Sequence, residues 1–410
     1  MNPEMLREQF PALQQQVNGE TAVFVDGPGG TQSPRSVIDA MAAYLEFGSS
    51  SPGAAFMTSQ YGVELIAQAR QAMADFLNAE PNEIIFGQNM TSLTFSISRA
   101  IAREWEAGDE IILTRLDHDA NVSPWLMAAE EKGVTVRWLD FDTANGMMSL
   151  EMLPDLLNEK TKLLAISYAC NALGSITNVG KAVELAHANN TLVYVDAVHF
   201  TPHGLVDVKG LDCDFLTCSA YKFYGPHTGI LFGKFEHLER MTAYKVRPSS
   251  NEVPGKWETG NQSYESLAGV TAAIDYIAAL GGHEGTRRER IVEAMANVKA
   301  YEIEISKRFL AGVTAVPGLR VYGLTDVERL DERTPTFAIS IEGIHPEAIA
   351  QALADQGIFV YNGHYYAIET MKRLDLLESG GLVRIGFVHY NTIDELDRVI
   401  LALQELSANR

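Results

Sequence analysis

The sequence predicts an α/β protein, with a mostly parallel, doubly wound sheet in a large domain and a smaller C-terminal α+β domain. Between residues 80 and 235, short apolar and β-branched segments alternate with segments of helical periodicity. This alternation is typical of a parallel sheet with helices on both faces. The length of 410 residues exceeds what one hydrophobic core usually organises. The expected division is a large domain over 20–285 and a small domain made of 1–19 and 286–410.

The first predicted elements lead to a candidate anion site. An amphipathic helix is expected over 2–10, ended by Pro11, and a strand over 22–25 runs into an Asp-Gly-Pro-Gly-Gly turn. The elements that follow are helices over 36–47 and 63–77, a strand over 83–86 and a helix that begins near Met90. Backbone N–H groups at a helix start bind anions. Met90 and Thr91 are therefore candidate ligands of an anionic group.

The next strands end in polar side chains that are candidates for chemistry. Strands are predicted over 110–114, 134–138, 163–168, 192–195 and 215–218, with a crossover helix over 179–189. The polar residues that follow these strands are His118, Asn171, Asp196, His199, Ser219, Tyr221 and Lys222. Ligands of open α/β sheets bind at the carboxyl ends of the strands. Asp196 and Lys222 are therefore expected to face one crevice.

The C-terminal part predicts a second, smaller set of elements. A long charged helix over 284–309 leads into it, and the remaining elements are strands over 336–341, 358–360 and 382–387 and helices over 346–355 and 393–405. Arg384 lies inside the last of these apolar strands, where a surface ion pair explains it poorly. A planar guanidinium binds a carboxylate through two hydrogen bonds, so Arg384 is a candidate for binding a carboxylate substrate.

Composition excludes several classes of partner. The net charge is −21 and the pI is near 4.9, which argues against nucleic acid and anionic membranes. The three cysteines, Cys170, Cys213 and Cys218, have neither metal-ligand spacing nor a disulfide pattern. The N-terminus lacks an apolar signal region, and no apolar run approaches the length of a membrane span. A cytoplasmic protein without bound metal is expected.

The pairing of Lys222 with Asp196 suits pyridoxal phosphate chemistry. A lysine amine can form a Schiff base with the cofactor aldehyde, and a buried carboxylate can keep the pyridine nitrogen protonated. Taken singly, a structural Asp and a solvated Lys would be the better interpretations. The ordered run Asp-Ala-Val-His at 196–199, Ser-Ala-Tyr-Lys at 219–222 and Gly-Pro-His-Thr-Gly-Ile-Leu-Phe-Gly at 225–233 favours the cofactor site.

These segments resemble the cysteine desulfurase-like branch of the class V aminotransferase superfamily, enzymes of pyridoxal phosphate fold type I. The family pattern is Asp-x-x-Gln/His, then Ser-x-His-Lys, then a glycine-rich loop. The resemblance implies that Lys222 bonds the cofactor, Asp196 pairs with the pyridine nitrogen, His199 lies near the phenolic oxygen and Ser219 binds the phosphate. Tyr221 stands where the family usually has a His that contacts the phosphate.

The resemblance extends over nearly the whole chain and implies further roles. Met90 and Thr91 match the phosphate turn, and His118, within His-Asp-Ala-Asn, matches the residue that stacks on the pyridine ring and assists proton transfer. Asn171 matches the partner of the ring oxygen, and Arg384 the residue that binds the substrate α-carboxylate. Asn261 lies in a segment that reaches the phosphate of a second subunit in the family, which implies a homodimer.

One departure from the family bears on function. Cysteine desulfurases of this type carry the sulfur-accepting cysteine in Gly-His-His-Cys-Ala, and this chain reads Gly-His-Tyr-Tyr-Ala at 363–367. Tyr366 replaces the nucleophile, and Tyr366 and His364 remain candidate substrate contacts. The predicted function is a pyridoxal phosphate enzyme that acts on an amino acid, a small-molecule substrate, through a Schiff base and a Cα carbanion.

Several alternative functions remain open. The reaction could be transamination or a C–S or β-elimination lyase reaction. A cysteine desulfurase is disfavoured by Tyr366. A non-catalytic binding protein of the same fold is disfavoured because Lys222, Asp196, His118 and Arg384 are all present. The sequence does not identify the substrate side chain.

Overall fold

A central sheet of seven strands organises the larger part of the protein. The structure is a computed structural model that describes residues 1–408. In chain order the strands are Ile84–Gly87 (β1), Glu110–Thr114 (β2), Thr135–Leu139 (β3), Thr161–Ser167 (β4), Leu192–Asp196 (β5), Phe215–Ser219 (β6) and Gly229–Gly233 (β7). Across the sheet they lie in the order β1-β7-β6-β5-β4-β2-β3. β7 runs antiparallel to both of its neighbours, and the other pairs are parallel.

Helices pack on both faces of this sheet, and the last two of the longer helices pack on the smaller sheet described below. The longer ones are Arg35–Phe47 (α1), Met57–Leu77 (α2), Met90–Ile101 (α3), Ser123–Lys132 (α4), Val179–His187 (α5), Tyr264–Ala279 (α6), Arg287–Val313 (α7), Pro346–Asp355 (α8) and Ile393–Ala408 (α9). Alternate residues of one strand enter different cores: Val193 and Val195 of β5 pack in one cluster, and Tyr194 packs in another with α3 and α4. The predicted doubly wound, mostly parallel sheet is therefore confirmed.

A second core belongs to a smaller antiparallel sheet. Its strands are Leu319–Tyr322 (β8), Thr336–Ile341 (β9), Tyr361–Gly363 (β10) and Leu382–Gly386 (β11), in the order β8-β9-β11-β10. Phe337 and Ile385 pack there against Phe309 of α7 and Val399 of α9. Val23 and Val25 join the same core, because the strand Val23–Phe24 pairs with Ile358–Phe359.

Helix α7 connects the two cores. A capping box starts it: the Thr286 hydroxyl accepts from the Glu289 N–H at 3.2 Å, and the Glu289 carboxylate accepts from the Thr286 N–H at 2.7 Å. Ile291 near its start packs in the core beneath the large sheet, and Ile305 near its end packs in the second core. The proposed boundary between domains near 285 remains a prediction. No helix within residues 1–408 is long and apolar enough to cross a membrane.

Some elements differ from the sequence expectations. β7 was not predicted as a strand, because a glycine stands at each end of only three apolar residues. Helix α6 was not predicted, and α2 begins six residues before the expected start at Val63. The expected strand at 358–360 pairs with Val23–Phe24 instead of joining the small sheet. The pairings of β7 and of Ile358–Phe359 involve strands distant in the chain, which local periodicity does not record.

Register places the polar strand ends side by side. Asp196 of β5 pairs with Thr217 of β6 on one side and with Ser167 of β4 on the other. Because these strands are parallel, their carboxyl ends and the residues just beyond them share one edge of the sheet. Lys222 follows β6 in the short turn Ala220–Lys222, so it reaches the same edge as Asp196.

Candidate active site

One cavity of about 450 Å³ lies at the carboxyl edge of the central sheet. It collects all the predicted site residues except Ser219 and Asn261. Those that line it are Met90, Thr91, His118, Asn171, Asp196, His199, Tyr221, Lys222, His364, Tyr366 and Arg384. Arg384 comes from β11 of the small sheet and Lys222 from the large one. The cavity therefore lies where the two parts of the fold meet.

Ser219 and Asn261 lie outside this lining. Ser219 ends β6, is 1% exposed and has a hydroxyl without a hydrogen-bond partner among residues 1–408. Asn261 lines a separate cavity, and its side-chain amide donates to the Ser51 hydroxyl at 2.9 Å. The role expected of Asn261 is toward a second subunit, and it stays a prediction.

Lys222 is held in a buried position that favours the neutral amine. Its Nζ donates to the carbonyl of Pro28. Burial first, and the positive charge of Arg384 second, lower the pKa of Lys222 from 10.5 to about 7. Near neutral pH a large fraction of this amine is therefore unprotonated, the form in which a lysine is a nucleophile.

Asp196 occupies the end of β5 and has the opposite shift. Burial raises the pKa of Asp196 to about 6, against the opposing effects of a hydrogen bond from the Val198 N–H at 2.9 Å and of the charge of Lys222. A cationic group facing this carboxylate would lower its pKa again. The site is therefore suited to a ligand that carries a protonated nitrogen.

His118 presents a neutral imidazole. Its Nδ1 accepts from the Ala120 N–H at 3.0 Å, so the ring proton lies on Nε2. Burial, followed by the charges of Lys222 and Arg384, lowers the pKa of His118 to about 4. The His118 ring lies nearly parallel to that of Tyr366, at 24° with ring centroids 5.4 Å apart.

Arg384 and Asn171 join the two sheets across the cavity. Arg384 Nη1 donates to the Asn171 carbonyl at 2.9 Å, and the Asn171 side-chain amide donates to the Tyr365 carbonyl at 2.9 Å. Arg384 Nε and Asn171 Oδ1 are buried and have no partner among the described residues. An unsatisfied buried polar group costs about 1–3 kcal/mol, so these atoms indicate a place for a ligand.

His199 is fixed by the small sheet. Its Nε2 lies 3.2 Å from the Thr334 hydroxyl and 3.1 Å from the Thr336 hydroxyl. Because the Thr334 hydroxyl donates to the carbonyl of Gly174, it accepts from His199, which places the ring proton on Nε2. The ring also meets His203 edge-on, with centroids 5.2 Å apart. Burial lowers the pKa of His199 well below its usual value.

The start of α3, where an anion site is predicted, lies at the cavity. Asn89 caps the helix by accepting from the Ser92 N–H at 2.8 Å, and the first N–H groups of a helix have no partner within it. Met90 and Thr91 line the cavity at this point. A Cβ on Gly229 of β7 would lie 2.3 Å from the Asn89 carbonyl carbon, so glycine there allows the strand to approach this turn.

Sequence reasoning missed several lining residues: Gly29, Ser167, Tyr361 and Tyr365. A Cβ on Gly29 would lie 2.3 Å from the Tyr361 ring, so the Asp-Gly-Pro-Gly-Gly turn makes room for that side chain. The turn was recognised in the sequence, but its partner, more than 300 residues later, was not. Ser167 ends β4 beside Asp196, and the pattern of polar residues at strand ends could have identified it.

These groups fit pyridoxal phosphate. An amine that is neutral near pH 7, a carboxylate for a protonated nitrogen and a helix start for a phosphate are the groups this cofactor requires. The unpartnered oxygen of Asn171 and the unpartnered Nε of Arg384 leave hydrogen-bonding capacity for cofactor and substrate. The residues that would hold the cofactor therefore come from four strand ends and one helix start.

The fold and the cavity define the class of pyridoxal phosphate enzymes of fold type I. The sequence profile described as aminotransferase class-V matches residues 23–399. The chain belongs to the class-V aminotransferase family, and it is a pyridoxal phosphate-dependent enzyme.

Two related proteins and one solved structure align with almost the whole chain. A probable cysteine desulfurase of Synechocystis is 29% identical over 97% of this chain and 94% of its own length. An aminotransferase-like protein of Gibberella zeae is 30% identical, over 98% of this chain and 97% of its own length. The crystal structure of a cysteine desulfurase of Escherichia coli, in an S-sulfonic acid form, superposes with a TM-score of 0.86 at 25% identity, covering 100% of this chain and 99% of that one.

The lowered pKa of Lys222 predicts the pH dependence of cofactor capture. We expect the rate at which apoprotein bonds pyridoxal phosphate to rise through a midpoint near pH 7 and then level off, because the amine is then fully neutral. A lysine of ordinary pKa would give a rate that still rises toward about pH 10. Stopped-flow absorbance measures this rate.

A matched pair of variants tests the cause of that shift. Arg384→Gln removes a positive charge that lowers the pKa of Lys222, so the midpoint should move to higher pH. Arg320→Gln, on the exposed edge of the small sheet, should leave the midpoint in place. A midpoint that stays near 7 in Arg384→Gln, or moves downward, would contradict this electrostatic explanation.

Proposed function

We propose that this enzyme acts on an α-amino acid as a transaminase or as a lyase that eliminates a β substituent, with a C–S bond as one candidate. The observation that supports it is the meeting of Lys222, Asp196 and Arg384 in one cavity, with Tyr366 where desulfurases of this type have a cysteine. Both reactions require removal of the proton on the substrate Cα.

The residues divide into those that hold the cofactor and those that act on the substrate. Pyridoxal phosphate, when bound, supplies an aldehyde for amines and a protonated ring that accepts the electron pair left at Cα. Asp196 would face the ring nitrogen, Asn171 and His199 the ring oxygen, and the N–H groups of Met90 and Thr91 the phosphate. His118 would stack on the ring with a neutral imidazole.

Arg384 binds the substrate and Lys222 transfers its proton. The Arg384 guanidinium, with an unpartnered Nε, binds the α-carboxylate and fixes the orientation of the Cα bonds. The Lys222 amine, with a pKa of about 7, can accept a proton from Cα and return it. Burial of both groups excludes water, which strengthens their charge interactions.

An amino acid panel separates the two reactions. Cofactor-loaded protein should show a change in visible absorbance with at least one α-amino acid. A transaminase then yields a keto acid without ammonia and needs a second keto acid to continue, whereas a lyase yields keto acid and ammonia together. Lys222→Ala should lose turnover by at least about 10⁴-fold, because it removes both the cofactor bond and the proton carrier.

The location of the cofactor bond is the control for that experiment. Borohydride reduction followed by peptide mapping should fix the cofactor on Lys222. A label on another lysine, or full turnover by Lys222→Ala, would rule out the proposed site.

The protein should not form a persulfide, although several of its relatives are named cysteine desulfurases. A thiolate is the competent sulfur acceptor, and Cys170, Cys213 and Cys218 are all buried. Burial raises the pKa of the Cys170 thiol to about 11 and those of the other two further still. The phenol at Tyr366 cannot form a persulfide.

Cysteine supplied with an isotope label tests this directly. Mass spectrometry of wild-type protein should find no protein-bound persulfide, and a variant with Cys170→Ala, Cys213→Ala and Cys218→Ala should behave like wild type. A persulfide on Cys170 that disappears in the variant, together with alanine formation, would show that the chain is a desulfurase with a relocated nucleophile.

We further propose a homodimer. The segment 257–264 resembles one that completes the partner's phosphate site, and Asn261 within it is exposed. Large apolar side chains nearby are also exposed, among them Phe56 at 56% and Met57 at 69%, and Asn261 is hydrogen-bonded to Ser51 of the same surface. Sedimentation of cofactor-loaded protein should give a dimer. An active monomer would contradict the proposal.

A cytoplasmic location is proposed for the same enzyme. All three cysteines are free thiols in buried positions, as is usual in a reducing compartment. Recovery of the protein in the cytosolic fraction of its cells would agree with this, and recovery from a secreted fraction would not.

A further inference from the structure

A turn of unusual composition stands at the mouth of the cavity. The Ala367 N–H donates to the His364 carbonyl at 2.7 Å, and the two residues between them, Tyr365 and Tyr366, have φ values of +53° and +58°. Positive φ at both central residues is the pattern of a type I′ turn, which Asn and Gly normally occupy. Two bulky residues there are strained, and strain of this kind concentrates at functional sites.

The surrounding structure holds this turn in place. The Tyr365 carbonyl accepts from the Asn171 amide at 2.9 Å, and the Tyr366 carbonyl accepts from the Asp119 N–H at 2.7 Å. The Tyr366 N–H donates to His364 Nδ1 at 3.1 Å. The backbone of the turn is therefore fixed by residues in or directly beside the cavity.

The two rings of the turn have different surroundings. Tyr365 is buried beneath Arg384, whose guanidinium carbon lies 4.4 Å from the ring centroid, and its hydroxyl donates to the Leu382 carbonyl. Tyr366 is 66% exposed and lies parallel to His118. A third ring, Tyr361, is 49% exposed and lies 5.9 Å from the Arg384 guanidinium carbon. Tyr361 and Tyr366 thus leave aromatic surface open at the cavity mouth.

The charged side chains that line the cavity all have partners in the proposed function. Among the described residues that line it, the charged side chains are Asp196, Lys222 and Arg384. In the proposed function these face the ring nitrogen, the cofactor aldehyde and the substrate α-carboxylate. No charged side chain is left to pair with a substrate side chain, and burying an unpaired charge is costly.

We infer that Tyr361 and Tyr366 form an aromatic slot that selects α-amino acids with an uncharged aromatic side chain, and that Tyr366 is its main specificity-determining residue. This inference rests on the proposed function. With the α-carboxylate on Arg384, the side chain of the substrate extends toward the two exposed rings. Aromatic pairs are favourable at centroid distances of 4.5–7 Å, and a charged side chain has no counter-ion there.

The test measures binding to cofactor-loaded protein by the visible absorbance change. Phenylalanine, tyrosine and tryptophan should half-saturate this change at concentrations at least about tenfold below alanine. Leucine should be intermediate, and aspartate and lysine weakest. Aspartate or alanine half-saturating at the same concentration as phenylalanine would overturn the slot.

Variants of exposed tyrosines identify the residue responsible. Tyr366→Ala should reduce the preference for phenylalanine over alanine by about tenfold, and Tyr366→Phe should keep it. Tyr244→Ala removes a tyrosine that is 45% exposed and lies outside the cavity, so the preference should stay as in wild type. An unchanged preference in Tyr366→Ala would overturn the assignment of this residue.

Different results would contradict the proposed function and the aromatic slot. If no amino acid changes the absorbance of protein whose Lys222 has bonded the cofactor, the proposed function fails, and the slot with it. If amino acids react without preference for aromatic side chains, the function stands and the slot is wrong.

Discussion

The burial of three charged side chains around one cavity is the constraint on which the rest of the structure depends. Lys222, Arg384 and Asp196 are all shifted toward their neutral forms, mainly by loss of water. Such desolvation costs several kcal/mol per ion in proteins. Asp196 and Lys222 lie at neighbouring strand ends of the parallel sheet, where their opposite charges offset part of this cost, and Arg384 reaches the cavity from β11 of the small sheet. A cofactor with a protonated nitrogen and a substrate with a carboxylate are the ions that would complete the pairing.

The small sheet does more than cover the cavity. Arg384 is bound to the carbonyl of Asn171, and His199 is bound to the hydroxyls of Thr334 and Thr336. In the proposed function, the large sheet would supply the groups that hold the cofactor, and the small sheet would orient the substrate through Arg384 and the cofactor contact of His199. Any rotation between the two sheets would change the distance from Arg384 to Lys222. Catalytic geometry is thus tied to how the two cores pack along α7.

Sequence reasoning located many of the residues that line the cavity, because strand ends leave local signals. Asp196 and Lys222 each follow a short apolar run, and Met90 begins a helix, so type and order were enough to place them. The mouth of the cavity has no strand-end signal, and there Tyr366 and His364 were identified only through the family resemblance. Tyr361 needs the missing Cβ of Gly29, and the positions of Tyr365 and Tyr366 depend on positive φ values that no residue preference predicts. Contacts across hundreds of residues lie beyond periodicity.

Tyr366 stands where desulfurases of this type have a cysteine, so this position cannot accept sulfur from a substrate. A cysteine at this position, as in desulfurases of the family, would have to reach the substrate sulfur as a reactive thiolate. Here the position carries an aromatic ring on a strained turn, and the carbonyls of that turn are bound by Asn171 and by the backbone of Asp119. A cysteine that must move to transfer sulfur does not need a rigid backbone. A tyrosine that selects substrates by the shape of their side chain does. The strain at Tyr365 and Tyr366 agrees with the proposed role of this turn in substrate selection.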